Sequence, residues 1–232
     1  MNKNSNTYTF IYASVMVIIV AAVLSVAATV LKPLQTDNQN IEKMQNILAS
    51  VNINATAAEA KEVYAQRITK SYVVNSKGEE VQGDAFNIDL KVEKAKPLAN
   101  RALPVFECKT DEGVKYIFPM RGAGLWGPLW GYVSLNDDLN TIYGANFSHE
   151  GETPGLGAEI STSAFQGMFK GKTIFDASGK LVSIIVAKSN ENAPAAHKVD
   201  AISGGTITSK GLQQMLLEDF QSYQNFIIRK KS

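Results

Sequence analysis

Three glycine-bearing segments hold the residues whose types and spacing could do chemistry. The first is Asp200-Ala201-Ile202-Ser203-Gly204-Gly205-Thr206-Ile207-Thr208-Ser209. A glycine-rich turn feeding a helix lines up backbone N–H groups into an anion-binding nest, and the helix dipole adds to it. Ser203, Thr206 and Ser209 set hydroxyls beside that nest. An ordinary helix N-cap is the bland alternative, since caps favour the same residue types. The second segment is Glu152-Thr153-Pro154-Gly155-Leu156-Gly157. Two glycines around an exposed Leu suit close approach of backbone to a planar ligand, or a plain turn before a helix. The third, Arg121-Gly122-Ala123-Gly124-Leu125-Trp126-Gly127-Pro128-Leu129-Trp130, contains both tryptophans of the chain. Aromatics beside glycines can stack on a flat ring or meet a partner. Burial of at least one Trp in the core is the competing reading.

Other chemistry is excluded or unsupported. Gly171-Lys172-Thr173 ends like a phosphate loop, but Gln166 stands where the first glycine belongs, and a helix precedes where a strand should. Neither His149 nor His197 has a G-x-S-x-G serine elbow beside it, and both read as loop histidines. One cysteine, Cys108, permits no internal disulfide. One Cys and two distant His cannot make a zinc or iron–sulfur site, so no metal is expected. The formal net charge of +1 lacks the basic excess that phosphate backbones require, which argues against nucleic acid.

The elements that must position these segments follow from periodicity. Thr9 to Leu31 is uncharged, and as a helix it spans roughly 34 Å, enough for a bilayer core. A cleaved signal peptide has a shorter apolar region, although Ser25-Val26-Ala27 is a passable cleavage site. Lys32 and Pro33 close the span. Lys3 and the amino terminus against Lys32 give too small a bias to orient it. No carboxylate lies inside the span, so it shows no ion pathway. Asp37–Val51 and Ala55–Ile68 carry apolar stripes and read as helices. Lys70–Asp89 reads as a hairpin about SKGEE, and Leu90–Pro104 as a loop. Hairpins are expected about DEG, NDD and ASGK, the last pairing TIFD with LVSIIVA. A helix is expected over Ala158–Lys170 and another after Lys210. The chain thus divides into residues 1–8, a transmembrane helix 9–31, a connecting region 34–104 packed on the next domain, and an α+β domain 105–232 of antiparallel strands and helices.

RGAGLWGPLWGYVSL, EGETPGLGAEI and VDAISGGTITSKG, in that order, resemble the FMN-binding domain family. The run LKPLQTDNQNIEKMQNIL directly after one span makes the chain similar to the anchored flavin subunits of sodium-pumping NADH:quinone oxidoreductases. The resemblance implies FMN joined through its phosphate to the threonine of a Ser/Thr-Gly-Ala-Thr segment, matched here by Ser203, Gly204, Gly205 and Thr206. Thr206 is then the attachment residue and Thr208 its neighbour; Gly205 departs from the usual Ala. It also implies a flavin transferase that uses FAD and a divalent metal, with Asp200 at the acidic position of its recognition motif. Thr153, Gly155, Leu156, Gly157, Leu125 and Trp126 are expected to flank the isoalloxazine, and Lys188 to balance its charge. By resemblance the chain is no complete enzyme alone. It relays electrons among the other subunits of a membrane respiratory complex, with its domain on the periplasmic side and residues 1–8 in the cytoplasm. Two other readings stay open: the flavin subunit of the related ferredoxin-linked ion-translocating complex, and a scaffolding protein whose glycine turn only caps a helix.

Overall fold

The computed structural model describes residues 5–188 and 190–231. Lys3 and the first residues of the expected cytoplasmic segment lie outside them. The chain divides between Lys43 and Met44 into two compact units.

Helix α1, Asn6–Ala49, begins in the first unit and ends in the second. It contains an 18-residue window of mean hydropathy 2.7 with no buried residue, long and apolar enough to cross a membrane. Pro33 was expected to end the span's helix, yet α1 runs through it. Proline removes one N–H and crowds the preceding turn, which kinks a helix without always ending it. In the second unit Ile47 and Leu48, with Val51 just beyond, are fully buried.

The second unit is built on a six-stranded antiparallel sheet in the order β2-β1-β3-β4-β5-β6. The strands are β1 Ile68–Val74, β2 Glu80–Val81, β3 Leu103–Thr110, β4 Gly113–Ala123, β5 Pro128–Leu135 and β6 Ile142–His149. β1 and β2 come from the segment read as connecting, and β1 pairs with β3 from Ile68↔Cys108 to Val74↔Leu103. Alternate side chains of one strand face opposite sides, so the sheet separates two cores. Phe118 and Met120 of β4 face one core, and Ile117 faces the other with Ile47, Phe106 and Cys108.

Helix α5, Thr206–Lys231, covers the first core. Leu212, Met215, Leu216, Phe220, Tyr223 and Ile227 recur at helical spacing and are buried. Phe118 packs edge-on against Tyr223 at 4.9 Å between ring centroids. The Tyr223 hydroxyl donates to the Pro104 carbonyl at 2.9 Å, tying α5 to β3. Glycine brings helix and strand close: a Cβ on Gly122 would meet Met215 Cβ at 2.6 Å, and one on Gly211 would meet the Ala123 carbonyl oxygen.

Several elements differ from the sequence reading. Helix α2 covers only Ala60–Arg67, because Glu59 binds the Thr56 hydroxyl at 2.8 Å in a preceding turn and Ile68 enters the sheet. The expected loop after residue 90 opens with α3, Leu90–Lys94, capped by Asp89, whose side chain accepts from the Lys91 N–H at 2.8 Å. The expected helix 158–170 is a 3₁₀ turn, Gly157–Ser161, and a short α4, Ser163–Gly167; extended Thr162 separates them and its hydroxyl accepts from Phe165 N. The third hairpin reduces to one bridge, Phe175↔Leu181. Ser183 takes φ 58°, which breaks the run, and β7, Ile185–Ala187, pairs in parallel with β8, Lys198–Asp200. The last helix starts at Thr206, before Lys210, where the glycine turn ends.

Candidate functional site

The three glycine-bearing segments meet in one cleft of about 220 Å³. Its lining includes Leu125, Trp126, Thr153, Leu156, Gly157, Gly204, Gly205, Thr206 and Thr208, all of them site residues by the sequence reading, together with Glu152 and Ile207. The volume lies below the roughly 300 Å³ at which small-molecule pockets begin, so a large ligand seated here keeps part of itself outside. Trp126 is 68% exposed and Ile207 58%, with Leu125 and Leu156 also exposed. Trp126 therefore does not serve the core, and these four apolar side chains give the rim a surface suited to a flat ring.

The floor is built by α5 and the turn before it. Gly204 adopts φ +73°, a left-handed conformation natural to glycine. Gly205 N–H donates to the Ile202 carbonyl at 3.0 Å, and the Ser209 hydroxyl accepts from the Ile202 N–H at 3.1 Å. The turn is thereby closed and α5 starts at Thr206 with its first N–H groups without intrahelical partners. Those donors and the helix dipole favour a negative group at the Thr206 end of the cleft.

The two cleft threonines differ. Thr208 is 1% exposed and its hydroxyl donates to Glu152 Oε2, whereas Thr206 is half-buried on the lining. Glu152, itself 5% exposed, accepts from the Trp126 N–H at 2.9 Å through Oε1. Its own N–H donates to His149 Nδ1 at 3.2 Å. One residue thus fastens three elements: its carboxylate holds the Trp126 loop and the first turn of α5, and its N–H holds the end of β6. Burial works to raise its pKa, but the Thr208 hydroxyl, the Trp126 and Leu125 N–H groups and the nearby His149 outweigh it and hold the carboxyl below the usual range. Two glycines make room for it: a Cβ on Gly157 would strike Glu152 Oε2 and Thr208 Oγ1, and one on Gly124 would lie 3.0 Å from the Glu152 carboxyl carbon. Sequence reading placed Glu152 in a candidate segment without a role; the glycines at 124 and 157 were its only trace.

Four expected residues do not line the cleft. Gly155, at φ +74°, and exposed Ser203 sit in the turns beside it. Lys188 is exposed past β7, where its N–H donates to Glu191 at 3.2 Å. Asp200 borders a separate hollow with Lys172 and Lys198. Among the described residues no group of three or more His, Cys, Asp or Glu could hold a metal ion.

The residues present fit a flavin mononucleotide: a nest and helix N-terminus for the phosphate, a half-buried hydroxyl beside it, and an apolar rim for the ring. Residues 124–218 match the FMN-binding domain family, and all the residues that line the cleft fall within that stretch. The chain is 34% identical over 93% of its length to the C-subunit of Na(+)-translocating NADH-quinone reductase from Pseudomonas aeruginosa, covering 91% of that protein. It is 31% identical to the C-subunit from Haemophilus ducreyi over 91% of its length and 88% of that protein's. The crystal structure of the C-subunit from Parabacteroides distasonis superimposes with a TM-score of 0.79 at 47% identity, over 85% of this chain and 96% of that one. The chain belongs to this family, the C-subunits of Na(+)-translocating NADH-quinone reductases.

Proposed function

We propose that this chain is the electron-carrying, membrane-anchored subunit of a sodium-translocating NADH:quinone reductase, with FMN attached covalently through its phosphate to Thr206. The observation that carries the attachment is the contrast between the two cleft threonines: Thr208 is buried and engaged by Glu152, while Thr206 stands half-exposed at the start of α5. Attachment from FAD forms a bond from phosphorus to Thr206 Oγ and breaks the pyrophosphate; the hydroxyl proton is lost and AMP leaves. Bound FMN supplies the capacity to take up and pass on electrons. The chain's own residues hold it: the α5 N-terminus meets the phosphate, and Leu125, Trp126, Leu156 and Ile207 line the ring. The shallow cleft leaves an edge open to partner subunits. Asp200, exposed and outside the cleft, is free to meet the flavin transferase. Ser203, Gly155 and Lys188 then act at most from the cleft's surroundings. The span Thr9–Leu31 anchors the chain in the bilayer, residues 1–8 are cytoplasmic, and residues 34–104 connect the span to the domain 105–232, which faces the periplasm.

The test is co-expression with a flavin transferase, followed by in-gel flavin fluorescence and peptide mass mapping of wild type, Thr206→Ala and Thr208→Ala. Fluorescence lost in Thr206→Ala and kept in Thr208→Ala, with the FMN mass on the Thr206 peptide, is the expected result. A wild type without flavin, even as Gly205→Ala and with its own host's transferase, leaves the glycine turn as a mere helix cap. Co-purification with an NADH-oxidising subunit is expected; a ferredoxin-oxidising partner would move the chain to the related complex.

A further inference from the structure

We propose that Glu152 is the positioning residue of the cleft and that its buried negative charge, paired with no Lys or Arg among the described residues, makes a flavin held there harder to reduce. The inference rests on the FMN reading above and assigns a determinant of that site's potential.

Among the described residues four carboxylates are buried: Glu93, Glu107, Glu152 and Asp219. Three have a lysine. Lys96 lies 2.7 Å from Glu93, Lys230 3.2 Å from Glu107 and Lys94 2.8 Å from Asp219. Glu152 has instead the Thr208 hydroxyl, the Trp126 and Leu125 N–H groups and the neighbouring His149, whose Nδ1 accepts the Glu152 N–H. Among the described residues no Lys or Arg forms an ion pair with it. A buried charge without a lysine or arginine partner is costly. A glutamine could occupy the same space and accept the same backbone N–H. The fastening role therefore does not explain the charge, and the location does: the carboxylate forms part of the lining of the cleft that the three glycine segments create. Its hydrogen bonds keep it ionised at neutral pH.

An electron added to a flavin brings a negative charge with it unless a proton follows. A fixed carboxylate within about 10 Å, at an effective dielectric near 20, opposes that charge by a factor on the order of tenfold in the equilibrium. Lys188 lies outside the lining.

The experiment is a redox titration of the full-length, flavin-loaded protein in detergent, with flavin content measured by mass and folding by thermal melting. Glu152→Gln should keep its flavin and move the midpoint upward by on the order of tenfold in the reduction equilibrium, about 59 mV for one electron. Glu152→Asp keeps the charge and displaces the hydrogen bonds; its melting temperature should fall while its midpoint stays near wild type. A flavin-loaded Glu152→Gln with an unchanged midpoint overturns the proposal. So does a midpoint that shifts in Glu152→Asp in step with its melting temperature, which decides the matter even if Glu152→Gln does not fold. Wild type that carries no flavin overturns instead the reading on which the proposal rests.

Discussion

Lys94 Nζ lies 2.8 Å from Asp219 Oδ1, and the other carboxylate oxygen of Asp219 accepts the Arg121 N–H at 2.9 Å. Lys94 also donates to the Arg121 carbonyl. This pair therefore joins α3 and α5 to the end of β4, one strand end away from the cleft. Burial nevertheless pushes the Asp219 carboxyl up to about 6, against the pull of Lys94 and the N–H. The folded pKa lies above that of the unfolded chain, so the native state binds this proton more tightly. The group's contribution to stability is largest below pH 4 and is lost as pH rises to about 6. Lys94→Ala removes the compensating charge. It should cost about 3 kcal/mol at pH 7, and less at pH 5, where Asp219 can take up a proton. Urea unfolding at the two pH values measures the difference.

Gly157 and Gly167 make a matched pair for the cleft's packing. A Cβ at 157 meets Glu152 and Thr208, whereas one at 167 meets nothing within 4 Å. Gly157→Ala should cost about 1–3 kcal/mol, as overpacking does. Gly167→Ala, at the end of α4, should be neutral or stabilising by about 0.5 kcal/mol. Chemical denaturation of the two variants checks both values, and flavin content should fall only in the first.

Trp126 is exposed, and only its backbone N–H reaches Glu152. Trp126→Ala should leave stability within about 0.5 kcal/mol. Flavin attachment should persist. The absorption and residual fluorescence of the bound flavin should change, because a stacked indole is lost. Spectra of wild type and variant at equal flavin content provide the comparison.

Cys108 is fully buried, and desolvation pushes its thiol up to about 11. The thiolate is the reactive form. A thiol reagent at pH 8 should leave the folded protein unmodified and titrate one thiol per chain in denaturant.

The sequence carried the site further than it carried the elements around it. Glycine turns, paired tryptophans and the two hairpins about DEG and NDD are local signals, and the structure forms those strand pairs, β3 with β4 and β5 with β6. The long apolar run before Lys32 was equally plain. Glu152 was not, because its role depends on Thr208, 56 residues away, and a loop acid between His149 and Thr153 has no local signature. The parallel pairing of β7 with β8 was hidden for the same reason: Ile185–Ala187 reads as the second arm of a hairpin until Ser183 turns left-handed. Helix 158–170 failed through Thr162, whose side chain starts a new helix inside an apparently continuous stripe.

The fastening of α5 has a consequence in time. Leu125 and Thr206 line the same cleft from opposite ends of the domain's sequence, and the helix that carries Thr206 is pinned to β3 through Tyr223. Contacts between such distant parts of a chain form late and slowly. A nascent polypeptide has the glycine turn well before it has the cleft, and the cleft exists only once the chain has been made past Tyr223 and that helix has docked. A group seated between Trp126 and Thr206 would accordingly report, in each molecule that carries it, that the last long-range step of folding has been completed.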